Sequence, residues 1–119
     1  VSLSQFFSYY GAKHRLSRRY PRPRFGTIIE PFAGSAGYAT RYHTHRVILI
    51  EKNPTIAGIW RYLLSASTAE IMRLPDLEPG QKVTDLPIAQ VERDLIGMWL
   101  QMGTGQPRLQ RSSWAEQHE

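Results

Sequence analysis

The chain has 119 residues, 41% of them hydrophobic, which is enough to bury a core and bounds it to one domain or part of one. It holds no cysteine, so disulfides and thiolate metal sites are excluded; no metal is expected from His14, His43, His45 and His118, and no apolar run approaches a membrane span. The formal charge of +5 is unevenly spread: residues 1–61 carry ten Lys/Arg against Glu30 and Glu51 alone, while residues 62–119 are net acidic, so the basic half is either a solvated face or the footprint of a polyanion, nucleic acid first.

Two aromatics precede a glycine and a lysine near the start, in Tyr9-Tyr10-Gly11-Ala12-Lys13. Gly11 permits a tight turn or the close approach of a ligand, and Lys13 can reach a carboxylate or phosphate. The same residues serve equally as core tyrosines beside a surface lysine. Basic side chains then crowd together as Arg15, Arg18, Arg19, Arg22 and Arg24. Leu16 and Tyr20 share a helical face, which predicts a short basic helix ending before Pro21 and Pro23. Arginines so placed suit phosphate contacts, which give affinity without reading sequence.

Thr27, Ile28 and Ile29 predict a strand buried on both faces, closed by Glu30 and stopped by Pro31. Ala33, Gly34, Ser35, Ala36 and Gly37 follow, all small. Such a loop between a strand and a helix lets backbone approach a ligand, or merely packs a turn. It lacks the G-x-G-x-x-G dinucleotide pattern and the Gly-Lys-Ser/Thr of a P-loop. A helix over 38–42 and a second buried strand, Val47-Ile48-Leu49-Ile50, complete a βαβ unit that ends in Glu51. An acid at that distance beyond the small-residue loop fits a ribose-binding carboxylate, with a structural strand-end acid as the alternative.

Asn53 and Pro54 mark a helix start. Ile56, Ile59, Trp60, Leu63 and Leu64 then form one apolar face that should pack on the sheet. Residues 68–74 read as a short helix and 75–87 as loop, with Asp85 as cap of a last helix carrying Ile88, Val91, Leu95, Met98 or Trp99, and Met102. A Gly/Pro-containing loop over 103–111 and an element opening at Trp114 end the chain. The absence of Met at Val1 and the polar end raise the expectation of a fragment or processed chain, and the lack of a signal-peptide pattern that of a cytoplasmic one.

Three segments stand in one order: Tyr9-Tyr10-Gly11-Ala12-Lys13, Glu30-Pro31-Phe32-Ala33-Gly34-Ser35 and Ile50-Glu51-Lys52-Asn53-Pro54. Together they resemble the amino-terminal part of S-adenosylmethionine-dependent DNA adenine-N6 methyltransferases of the Dam-like class. That family has an aromatic-x-Gly-Gly-Lys segment, then Glu-Pro-Phe-x-Gly-Ser-Gly, then Asp-x-Asn after the second strand. The resemblance covers roughly the first half of the chain. It implies an α/β, Rossmann-like methyltransferase fold, here incomplete, with a cofactor-binding part over 1–64 and a helical region over 65–119 leading toward target recognition. It implies S-adenosylmethionine as cofactor and double-stranded DNA as partner. Tyr9, Gly11, Lys13, Phe32, Gly34, Ser35 and Glu51 take the cofactor-binding places. Ala12 and Ala36 stand where the family has glycine, and Glu51 where it has aspartate. The family's catalytic Asp/Asn-Pro-Pro-Tyr/Phe signature is absent, since no Pro-Pro occurs, and no catalytic residue is assigned. A non-catalytic basic nucleic-acid-binding module and a nucleotide-binding α/β protein of other chemistry remain as alternatives.

Overall fold

The computed structural model describes residues 5–9, 13–101 and 106–111. It is a mixed α/β structure around a two-stranded parallel sheet, β1 (Thr27–Pro31) and β2 (Arg46–Ile50), joined by the short helix α1 (Gly37–Arg41). Helices α2 (Pro54–Ser65), α3 (Thr68–Met72) and α4 (Gln90–Leu100) follow. The basic segment after Lys13 forms only one 3-10 turn, Leu16–Arg19.

Pro31 does not stop the ladder. It pairs with Ile50, and the Ala33 N–H continues the bonding to the Ile50 carbonyl at 3.1 Å. The register explains this. Arg46 N–H donates to the Gly26 carbonyl at 3.0 Å, so Ile28 and Glu30 are the residues whose backbone faces β2. The missing N–H of Pro31 falls on the outer edge, where no donor is needed.

The strands are buried on one face, not both. Ile28 and Glu30 point inward with Val47 and Leu49. Ile29, Ile48 and Ile50 stand on the opposite face, 60%, 41% and 52% exposed. A run of consecutive apolar residues looks the same in either case, because it supplies side chains to both faces at once.

Asn53 caps α2 as expected, its side chain accepting from the Thr55 N–H at 3.0 Å. Ile56, Ile59 and Trp60 join Phe7, Ala36, Ala39, Leu95 and Met98 in the main core, with Val47, Leu49 and Leu63 packed against it. The inner face of the sheet, α2 and α4 therefore share one core. Leu64 is 77% exposed and leaves the predicted stripe. Tyr62 bridges α2 to α4 by donating to Glu92 Oε2 at 3.2 Å; burial first, then that carboxylate, raises its phenol above the ordinary value.

Asp85 does not cap α4. It lies in a 3-10 turn, Val83–Asp85, and the helix starts only after Pro87. Glu92 serves the helix start instead, accepting from the Ala89 N–H at 3.0 Å. The segment read as plain loop buries Leu77, Val83 and Leu86 against Ile96, a second small core on the other side of α4. Met102, Gly103 and Trp114 lie outside the described residues.

Ile59→Ala should lower stability by about 2–5 kcal/mol, the cost of a buried large-to-small change. Ile48→Thr on the open face should cost about 1 kcal/mol or less. Urea unfolding followed by tryptophan fluorescence compares the two; equal losses would mean the outer face is buried.

Candidate functional site

The loop after β1 is tightly wound. Phe32, Gly34 and Ala36 all have left-handed φ, at 52°, 52° and 55°. Glycine adopts this freely, but a residue with a side chain does so at a cost of about 1–3 kcal/mol and needs its surroundings to hold it. Gly34 is held on three sides. Its N–H donates to Glu51 Oε2 at 2.7 Å, and its carbonyl accepts from Trp60 Nε1 at 2.6 Å. The Tyr9 ring lies against its Cα, so close that an added Cβ would sit 2.8 Å from a ring carbon.

Tyr9 is positioned by the amino-terminal segment, which is tied to the end of α4. Trp99 Nε1 donates to the Phe6 carbonyl at 2.9 Å, and the Gln101 side chain donates to the Ser8 carbonyl. Phe7 is buried in the main core beside Trp60. A few residues on, Lys13 Nζ donates to the Phe32 carbonyl at 3.4 Å, while the Phe32 ring is 82% exposed. Ser35 is buried, and its Oγ has no hydrogen-bond partner. Gly11, with Tyr10 and Ala12, lies outside the described residues.

Glu51 follows β2 directly and accepts twice, from Gly34 and, through Oε1, from the Asn53 N–H at 3.0 Å. Each oxygen keeps a second lone pair for another donor. The carboxylate borders a cavity of about 250 Å³ on the inner side of the sheet, walled by Val47, Leu49, Ala57, Trp60, Arg61 and Leu64. The wall is mostly apolar, with the Glu51 carboxylate and Arg61 as its charged groups. The volume lies below the roughly 300–1,000 Å³ of pockets that take a whole drug-sized ligand.

Lys13 and Phe32 border a different cavity, also about 250 Å³, with Tyr20, Ile29, Glu30, Pro31 and Tyr38 on the outer side. The predicted cofactor residues thus converge on one turn but divide between two clefts flanking it. Burial, then the nearby Tyr42 and Glu30, push the Tyr38 phenol above its ordinary value. It stays protonated at neutral pH and donates to the Pro21 carbonyl at 2.6 Å.

Glu30 has a role that reading the sequence missed. It is buried, and its two oxygens accept from the Tyr38 and Ala39 N–H groups at 3.1 and 2.9 Å. These are first-turn donors of α1, whose N-cap, Ala36, offers no side-chain acceptor. The signal was present as an acid at a strand end ahead of a helix with alanine at its cap.

Of the arginines, Arg15 and Arg18 border a third cavity together with His14, Ser17 and Arg41. Arg19, Arg22 and Arg24 are exposed outside it. Arg41 was not singled out in the sequence; only the fold brings it to the others. Among the described residues, no group of three or more His, Asp or Glu is placed to hold a metal ion, and no helix is long and apolar enough to cross a membrane.

No family model, no curated protein and no solved structure matches this chain.

Gly34→Ala should destabilise the fold by about 1–3 kcal/mol, because alanine is strained at this φ and its methyl meets the Tyr9 ring. Pairing it with Tyr9→Ala should recover part of the loss in thermal unfolding. Strict additivity of the two changes would mean the ring does not press on the turn.

Proposed function

We propose that this chain is the cofactor-binding part of an S-adenosylmethionine-dependent DNA adenine-N6 methyltransferase, with β1, α1 and β2 as the first βαβ unit of a Rossmann-like sheet. The observation that carries the reading is the meeting of three segments at Gly34. Tyr9 packs on it, Glu51 accepts its N–H at 2.7 Å, and Lys13 reaches the carbonyl of neighbouring Phe32. These are the segments that carry the family resemblance, and they are far apart in the chain.

The outer face of the sheet supports the same reading. Parallel sheets are covered on both faces, and Ile29, Ile48 and Ile50 leave one face apolar and open. A further layer of a larger doubly wound sheet would cover it.

When bound, S-adenosylmethionine supplies an activated methyl group for an exocyclic amine. The residues of this chain bind and orient it. Glu51 accepts from the ribose hydroxyls while its bonds to Gly34 and Asn53 hold it still. Trp60 and Leu49 exclude water from one side of the nucleoside. Lys13, in the cleft on the other side of the same turn, offers a positive charge to the methionine carboxylate where the cofactor passes the turn. The hydrogen bonds of Gly34 to Glu51 and Trp60 fix the shape of the wound loop, so less ordering is lost on binding.

Titration calorimetry with S-adenosylmethionine tests this. Glu51→Gln should weaken binding by about tenfold or more, the worth of a hydrogen bond to a charged acceptor, with thermal unfolding showing the variant folded. Glu70→Ala, on the exposed α3, should leave binding unchanged. No heat from the folded wild-type chain, or equal loss in both variants, would refute the proposal.

A further inference from the structure

The third cavity, about 210 Å³, lies between the 3-10 turn and α1. Its lining is His14, Arg15, Ser17, Arg18 and Arg41, with no carboxylate among them. Three arginines lining one small space repel one another unless an anion sits between them.

Two polar atoms there have no partner. Arg41 Nε and His14 Nδ1 are both buried and make no hydrogen bond. A buried donor left unpaired costs about 1–3 kcal/mol. Ser17 is already engaged. The Ser17 hydroxyl donates to the His14 carbonyl at 2.7 Å, and the Ser17 N–H donates to the Lys13 carbonyl at 2.8 Å. The floor of the cavity is therefore fixed, and the Arg41 Nε–H is left as an open donor of a cation.

The close approach of the two walls is built in. A Cβ on Gly37 would lie 2.4 Å from the His14 backbone nitrogen, so only glycine lets the turn press on the start of α1. That contact sets Arg15 and Arg18 opposite Arg41. The Arg41 guanidinium also lies 5.8 Å from the Tyr42 ring centroid, which restrains its orientation.

We propose that this cleft is a phosphate clamp that grips one backbone phosphate of duplex DNA through Arg41, Arg15 and Arg18. Guanidinium forks match phosphate oxygens two at a time, and a cleft of this size takes one such group. Arg19, Arg22 and Arg24 continue the positive surface along the exposed segment beyond it, as a chain of phosphates requires. The clamp deepens the DNA half of the function proposed above and does not depend on the methyl donor.

The test is fluorescence anisotropy of a labelled nonspecific DNA duplex across a salt series, without cofactor. Arg41→Gln should weaken binding several-fold at moderate salt and reduce the slope of log affinity against log salt by about one, the signature of one lost phosphate contact. Arg41→Lys should keep the slope while losing affinity, because charge remains but the fork is gone. Arg73→Gln, in the C-terminal half, should change neither. Arg18→Gln, at an exposed position, carries the same prediction as Arg41→Gln should that variant fail to fold. An unchanged slope in a folded Arg41→Gln or Arg18→Gln protein overturns the clamp. So does wild-type binding to phosphatidylserine vesicles with none to DNA. A failed calorimetric titration with cofactor beside a positive salt-slope result would remove the methyl-transfer reading and leave the clamp standing.

Discussion

The Glu51 carboxylate accepting from the Gly34 N–H is the contact on which the first half of the molecule depends. It fastens the end of β2 to the loop after β1, and the Gly34 carbonyl carries the link on to Trp60 in α2. Hydrogen bonds to a charged acceptor are short and contribute about 1.5–3 kcal/mol. That is of the same order as the strain of one left-handed residue in the loop. Strands, loop and α2 therefore hold together as one rigid support.

The same carboxylate economy shapes the surface. Residues 1–61 contain two acids, and both accept backbone N–H groups of one loop and helix: Glu51 from Gly34, Glu30 from Tyr38 and Ala39. Both face inward. The arginines from 15 to 24 and Arg41 are left to face solvent or one another, so this half keeps a positive surface. Structure and electrostatics are linked here through where two glutamates are used.

The local features were legible in the sequence because their causes are local. β-Branched runs marked β1 and β2, and Asn53-Pro54 marked the start of α2 through a cap that needs only its own neighbours. What depends on tertiary contact was not legible. The open face of the sheet, the exposure of Leu64 and the small core around Val83 depend on which layers pack where. The cap predicted at Asp85 failed because Pro87 delays the helix and Glu92 reaches back from inside it. In the site, the segments around Tyr9, Gly34 and Glu51 were each visible. That the Tyr9 ring would lie on Gly34, and that Arg41 would close a cleft with Arg15 and Arg18, follows only from the fold.

We propose that a nucleoside cofactor sits against the Gly34 turn gripped by Glu51. The most direct measurement follows backbone amide resonances while S-adenosylmethionine is added. Saturable shifts of the Gly34 and Asn53 amides, both bonded to Glu51, are expected, with the remote Gly80 amide unmoved. Unmoved Gly34 and Asn53 signals at saturating cofactor would contradict it.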